Sequence, residues 1–204
     1  MKGQYLYQQV SNLNPKQHMK LDSSAQAIAG TDHESSFFFI LRAGADRGSI
    51  RAMAAARTSG ELVDALIGEG YLATPSLIEA FRAIDRKDFV PAAHAAGAYA
   101  NYPLSIGFGQ TISQPLVVAF MLELLAPKSG EKILDVGAGS GWQAALLAHV
   151  VHGESQPGRV VAVERIPELA RMAEENIGKR GFIEKGVAVV VRGDAIKEVR
   201  NVPP

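Results

Sequence analysis

The sequence predicts an α/β fold built around a parallel half-sheet, and three observations carry that expectation. From Lys132 onward, short apolar runs alternate with helical ones. The first apolar run breaks into Gly137-Ala-Gly139-Ser-Gly141 before a helix begins. Each of the first two runs carries an acid at its end, Asp135 and Glu164. Strand, helix, strand, helix, strand in succession implies right-handed crossovers and a parallel sheet.

The elements follow in chain order. Residues 1–57 mix Gln, Asn and Ser without a sustained period and are punctuated by Asn14-Pro15, Gly30 and Gly44. They read as a poorly ordered N-terminal extension, a tail or a misplaced start site, ahead of a single domain over residues 58–204. Thr58-Ser-Gly-Glu61 has capping-box spacing ahead of Leu62, Val63, Leu66 and Ile67, and Gly68 and Gly70 stop that helix. Thr74-Pro75 opens a second helix with Leu77, Ile78, Phe81 and Ile84 on one face. An irregular stretch, rich in Ala, Gly and aromatics, is expected from Phe89 through Gly109. Gln114-Pro115 starts an apolar helix that runs to about Leu125 and ends at Pro127. Then come strand 132–136, helix 142–151, strand 159–163, helix 167–178 and strand 187–191.

Composition bounds the function. The chain has 204 residues, 47% of them hydrophobic, enough for one domain with a core. Lys+Arg and Asp+Glu both number 21, so no net field draws nucleic acid or an anionic membrane. Absence of cysteine excludes disulfides, thiolate chemistry and cysteine metal sites, and the five histidines show no H-x-x-x-H spacing, so no metal is expected. Phe37-Phe-Phe-Ile-Leu41 is too short to cross a bilayer, and Met1-Lys-Gly-Gln-Tyr has no apolar segment behind it. A cytoplasmic location is the default.

The glycine turn is the first candidate site. Gly137, Gly139 and Gly141 remove side chains where a ligand could approach, and the helix from Trp142 points its amide-rich end at the same place. A plain turn without a ligand is the alternative. A dinucleotide fingerprint would read G-x-G-x-x-G. Here the spacing is G-x-G-x-G, Trp142 stands where the last glycine belongs, and Asp135 lies just ahead. A carboxylate there would repel a pyrophosphate but pair with an ammonium or sulfonium, the charges of S-adenosylmethionine. Glu164 is placed to accept a ribose diol in either cofactor. The glycine spacing and Asp135 favour S-adenosylmethionine.

The second candidate is Ile106-Gly-Phe-Gly-Gln-Thr-Ile-Ser-Gln-Pro115. Two glycines bend the chain ahead of Gln110, Thr111 and Ser113. From the residues alone Ser113 reads first as a helix N-cap and second as a catalytic hydroxyl, roles that are compatible.

At these motifs the chain resembles the protein-L-isoaspartate O-methyltransferase family, which methylates isomerised aspartyl residues in damaged proteins. The resemblance covers roughly Ser59 to Asp194. It includes Arg86-Lys-Asp-Phe-Val-Pro91, Ala98-Tyr-Ala-Asn101, Pro103-Leu104, Gly109-Gln-Thr-Ile-Ser-Gln-Pro115, Met121-Leu-Glu-Leu-Leu125, the glycine turn with Gly141-Trp-Gln-Ala-Ala-Leu-Leu-Ala148, Val161-Ala-Val-Glu164 and Gly193-Asp194. The glycine turn is common to most S-adenosylmethionine methyltransferases, whereas Gln-Thr-Ile-Ser-x-Pro is nearly private to this family. The resemblance implies a Rossmann-like methyltransferase fold and isoaspartyl proteins as partners. It further implies Ser113 as the active-site hydroxyl, Gln110 and Thr111 in the substrate cleft, and Asp135, Gly137, Gly139 and Gly141 around the methionine part of the cofactor. Glu164 would take the ribose and Asp194 would lie beside the adenine. Ser105 replaces a usual proline, and Val118 stands where some members have a histidine.

Only the first three strands of such a sheet are visible, and the later strands are missing. Strand 132–136 is then expected to be an exposed apolar edge. Either the chain is a C-terminally truncated relative or a second copy covers that edge by self-association, and truncation is the expectation. Three readings follow: an isoaspartyl methyltransferase, a truncated non-catalytic S-adenosylmethionine-binding relic, and an NAD-dependent oxidoreductase on the same turn.

Overall fold

In a computed structural model of the chain, residues 56–153 and 158–195 are described, and they belong to one compact unit. The extension expected over residues 1–57 lies outside the described residues except for Ala56 and Arg57.

Helix α1 spans Ser59–Gly68 and buries Leu62, Val63 and Leu66. The Thr58 hydroxyl accepts from the Glu61 N–H at 3.2 Å, as the capping spacing predicts. Glu61 reaches one residue further back than a capping box requires and accepts from the Arg57 N–H at 2.6 Å. Helix α2 spans Pro75–Ala83 with proline in its first turn. Its start is capped from a distance. The Glu123 carboxylate accepts from the N–H groups of Ala73 and Thr74 at 2.7 and 2.8 Å and from the Thr74 hydroxyl at 2.6 Å.

Two short 3₁₀ turns, Arg86–Phe89 and Ala92–Gly97, lead to strands β1 (Leu104–Gly107) and β2 (Gln110–Ile112). These pair antiparallel, with Leu104 opposite Ile112, Ser105 opposite Thr111 and Gly107 opposite Gln110. The hairpin corrects the expectation of an irregular stretch. Strands of four and three residues joined through Phe108-Gly109 are too short to show an alternating pattern. Helix α3 follows over Pro115–Leu125 and stops at Ala126, which takes the left-handed conformation at its end.

The parallel sheet consists of β3 (Lys132–Val136), β4 (Arg159–Glu164) and β5 (Ala188–Arg192), in that spatial order. Lys132 lies opposite Arg159, and Val160 lies opposite Ala188. The third strand begins one residue later than its sequence suggests. Helix α4 (Trp142–Val151) crosses from β3 to β4, and α5 (Pro167–Gly178) from β4 to β5. Helix α4 is apolar almost all round because it is enclosed by α2, α5 and the sheet. Among the described residues β3 pairs only with β4, and on one face of this edge strand Leu134 is 43% and Val136 60% exposed. The apolar edge expected from the sequence is there.

Candidate active site

Every parallel strand delivers its C-terminal end to one side of the sheet, the usual ligand side of an open α/β fold. At that side the glycine turn is fixed by backbone bonds. The N–H groups of Gly137 and Ala138 both donate to the Val163 carbonyl, at 2.8 and 3.1 Å. The buried carboxylate of Glu164 accepts from the Gly139 N–H through Oε2 and from the Ile166 N–H through Oε1, each at 2.9 Å. The Glu164 carbonyl accepts from the Gly193 N–H at 3.0 Å, which joins β4 to the turn carrying Asp194. Asn176 on α5 donates to the Ser140 carbonyl at 3.0 Å.

The three glycines serve different ends. Gly137 has a φ of +82°, and a Cβ added there would meet nothing within 4 Å, so its bare face borders open space. A Cβ on Gly139 would stand 3.2 Å from the Ile106 side chain of β1. A Cβ on Gly141 would stand 3.1 Å from the Ala173 backbone, because α4 and α5 approach there. Gly141 is buried, and its missing side chain makes room for α5.

A cleft of about 290 Å³ lies beside the turn. Gln110 and Thr111 of β2 line it together with Gly137, Gly139, Glu164 and Asp194, and with Val136, Arg165 and Ile166. Six of the predicted site residues are thus brought together. Asp135, Gly141 and Ser113 do not line it.

Asp135 lies beneath the turn, 5% exposed. Its Oδ1 accepts from the Gln143 side-chain amide at 2.9 Å, and its Oδ2 is buried without a partner. Burial, reinforced by the nearby Glu164 charge and opposed by Gln143, pushes its pKa from 3.8 up to about 6.

Ser113 is exposed, and its expected position as the N-cap of α3 is corrected by one residue. Pro115 holds the preceding residue in an extended conformation, which is the N-cap conformation, so the cap falls on Gln114. The first-turn N–H of Leu116 donates instead to the Asn101 side chain at 3.0 Å. The Ser113 hydroxyl is not engaged in capping and sits one residue past β2.

Arg86 is the organising residue that sequence reasoning missed. Only 1% exposed, it donates through Nη1 to the carbonyls of Ala98 (2.7 Å) and Ala100 (3.4 Å) and through Nη2 to those of Tyr102 (3.0 Å) and Ser113 (3.1 Å). Its guanidinium also stands 5.4 Å from the Trp142 ring centroid. Burial brings its pKa down to about 10, so it stays charged at neutral pH. One side chain thus clamps the segment before β1, the end of β2 and the first residue of α4. Gln143, the partner of Asp135, was missed too. Arg86 gave no signal of its own, because it lies in the charged run Asp85-Arg-Lys-Asp88 and reads as a solvated residue, while Gln143 was marked only as an amide in the first turn of α4.

A sequence model of the family described as protein-L-isoaspartate(D-aspartate) O-methyltransferase matches residues 57–204. Among curated relatives, the protein-L-isoaspartate O-methyltransferase of Aeropyrum pernix is 51% identical over 67% of this chain and 50% of its own length. That of Methanopyrus kandleri is 46% identical over 69% of this chain and 60% of its own. The chain therefore spans about half the length of the relatives it matches. A crystal structure of the β-aspartate methyltransferase of Plasmodium falciparum, in complex with S-adenosyl-L-homocysteine, superimposes with a TM-score of 0.63 at 22% identity over 70% of this chain and 66% of that one. Another solved protein-L-isoaspartate O-methyltransferase gives 0.56 at 28% identity over 67% of this chain and 42% of that one. These superpositions show a shared fold, and the family whose model matches is one of methyltransferases rather than oxidoreductases. With the family match extending from the first capped helix through the glycine turn and beyond, this chain belongs to the protein-L-isoaspartate(D-aspartate) O-methyltransferase family.

Proposed function

We propose that this chain transfers the methyl group of S-adenosylmethionine to the side-chain carboxyl of L-isoaspartyl residues in damaged proteins. The observation that carries the reading is that the Gly137–Gly139 turn, Glu164, Gln110 and Thr111 line one cleft. A methyl donor held on one side and a carboxylate on the other would meet there.

The residues present fit such a donor. Gly137 offers a bare backbone onto open space. Each Glu164 oxygen has accepted one bond from the turn and keeps a further lone pair for a ribose hydroxyl. Asp194 borders the same cleft. Asp135 would act from beneath, by its field and by holding Gln143, rather than by contact. The donor supplies an electrophilic methyl on a sulfonium.

The substrate carboxylate, with an ordinary pKa of about 4, is already an anion at neutral pH and needs no general base. That agrees with a cleft whose substrate side presents an amide and a hydroxyl. Gln110 and Thr111 would orient the incoming carboxylate, with the exposed Ser113 hydroxyl two residues beyond Thr111. Fixing nucleophile and methyl in line is worth roughly 7–11 kcal/mol in favourable cases. Among the described residues no helix is long and apolar enough to cross a membrane.

The open outer side of β3 favours a second reading, in which the chain binds the donor but does not turn over. Transfer of labelled methyl to an isoaspartyl peptide, with the matching aspartyl peptide as control, tests both. Label on the isoaspartyl peptide alone supports the methyltransferase. Binding of S-adenosylhomocysteine without transfer supports the second reading, and neither binding nor transfer refutes both.

A further inference from the structure

Among the described residues only two other than glycine have a positive φ, Phe108 at 55° and Ala126 at 48°. Ala126 is accounted for: it ends α3, and its N–H donates to the Leu122 carbonyl at 2.9 Å. Phe108 ends no helix. It occupies the turn of the β1–β2 hairpin between Gly107 and Gly109, both also at positive φ and both with open space where a Cβ would point. Nothing there demands a large side chain, and Gly or Asn would take this backbone with less strain. Yet the position holds an aromatic ring that is 56% exposed.

A strained backbone and an apolar ring in water are both costs to the unliganded fold, and such costs mark sites where a ligand is met. The position identifies which ligand. Phe108 is two residues from Gln110 and three from Thr111, and both of these line the cleft. Gly107 is opposite Gln110 in the hairpin register. Successive residues of an extended peptide are about 3.3 Å apart. A carboxylate held at Gln110 and Thr111 would therefore bring its neighbouring residues to the hairpin turn.

Resting on the methyltransferase reading, we propose that Phe108 is a specificity-determining residue that packs against an apolar side chain next to the isoaspartyl residue. The ring would cover that side chain and remove both surfaces from water.

Two isoaspartyl peptides, identical except for Leu or Ser on both flanks of the isoaspartyl residue, test this by KM and kcat. The wild-type chain is expected to show a KM about fivefold lower for the Leu peptide, with kcat values within about twofold. F108N, whose side chain suits a positive φ, is expected to keep or raise the thermal midpoint and to bring the two KM values within about twofold. F108L is expected to retain most of the preference. Transfer to both peptides without a KM preference, or an F108N chain that keeps the fivefold ratio, would overturn the inference and leave the methyltransferase reading standing. No transfer by the wild-type chain to either peptide would overturn that reading and the inference with it.

Discussion

Asp135 allows a quantitative test through D135N. In the folded chain its carboxylate is buried with Oδ2 unpartnered, and its pKa moves from 3.8 to about 6. A carboxylate whose folded pKa lies above its unfolded one holds its proton more tightly when folded. Between about pH 4 and pH 6 the folded chain therefore binds more protons than the unfolded one, and stability falls as pH rises. The penalty is absent below about pH 4 and complete above about pH 7. At about 1.36 kcal/mol per pH unit, a displacement from 3.8 to about 6 amounts to roughly 3 kcal/mol. Asparagine removes the charge and can still accept from Gln143, but its amide N–H₂ replaces Oδ2 without a partner, at a cost of about 1–2 kcal/mol. D135N should therefore be more stable than the wild type by about 1–2 kcal/mol at pH 7.5, and the gap should shrink steadily toward pH 5. Urea unfolding of both chains at pH 7.5, 6 and 5 measures this. Equal stabilities at pH 7.5, or a gap that does not shrink on acidification, would refute the assignment of Asp135 as a buried, underpartnered charge.

Other substitutions probe separate parts of the structure. E123A removes the acceptor shared by Ala73 and Thr74 and should cost about 1–2 kcal/mol in urea unfolding, whereas an unchanged midpoint would mean that water caps α2 equally well. G141A forces a Cβ onto the Ala173 backbone at a φ of +91° and should cost about 2 kcal/mol or more; a neutral result would show that α4 and α5 can separate freely. R86K keeps the charge but loses the planar fork that serves four carbonyls, so a loss of about 2 kcal/mol is expected, checked by thermal unfolding. S113A should lower methyl transfer while leaving S-adenosylhomocysteine affinity, measured by calorimetry, within about twofold. Equal losses in both would place Ser113 in the scaffold instead.

The parallel half of the fold was legible because its signals are local. Lys132–Val136, Trp142–Val151 and Pro167–Gly178 each lie between a proline or glycine boundary and a clear apolar pattern. What escaped depends on residues far apart in sequence. The cap of α3 comes from Asn101, 15 residues before the N–H it accepts from, and the cap of α2 comes from Glu123, some 50 residues away. No capping pattern read along one helix can find either. That the bare Cα of Gly141 makes room for a neighbouring helix was not legible, since sequence does not show what faces a missing side chain. Asp135 was placed on the correct strand, but the depth of its burial follows from α4 folding over it, with Gln143 reaching its carboxylate. The six residues that do meet in the cleft lie at strand ends or on β2, where backbone direction alone brings them together.

Glu164 holds both Gly139 and Ile166 before any small molecule arrives. The bend after β3 is thus preset in shape by the very carboxylate that a sugar diol would engage. Association there would not have to freeze a wandering loop, so its entropic toll falls on the visitor and its water rather than on the backbone. Departure of the used donor would likewise leave the receptacle intact, ready for the next molecule without a refolding step.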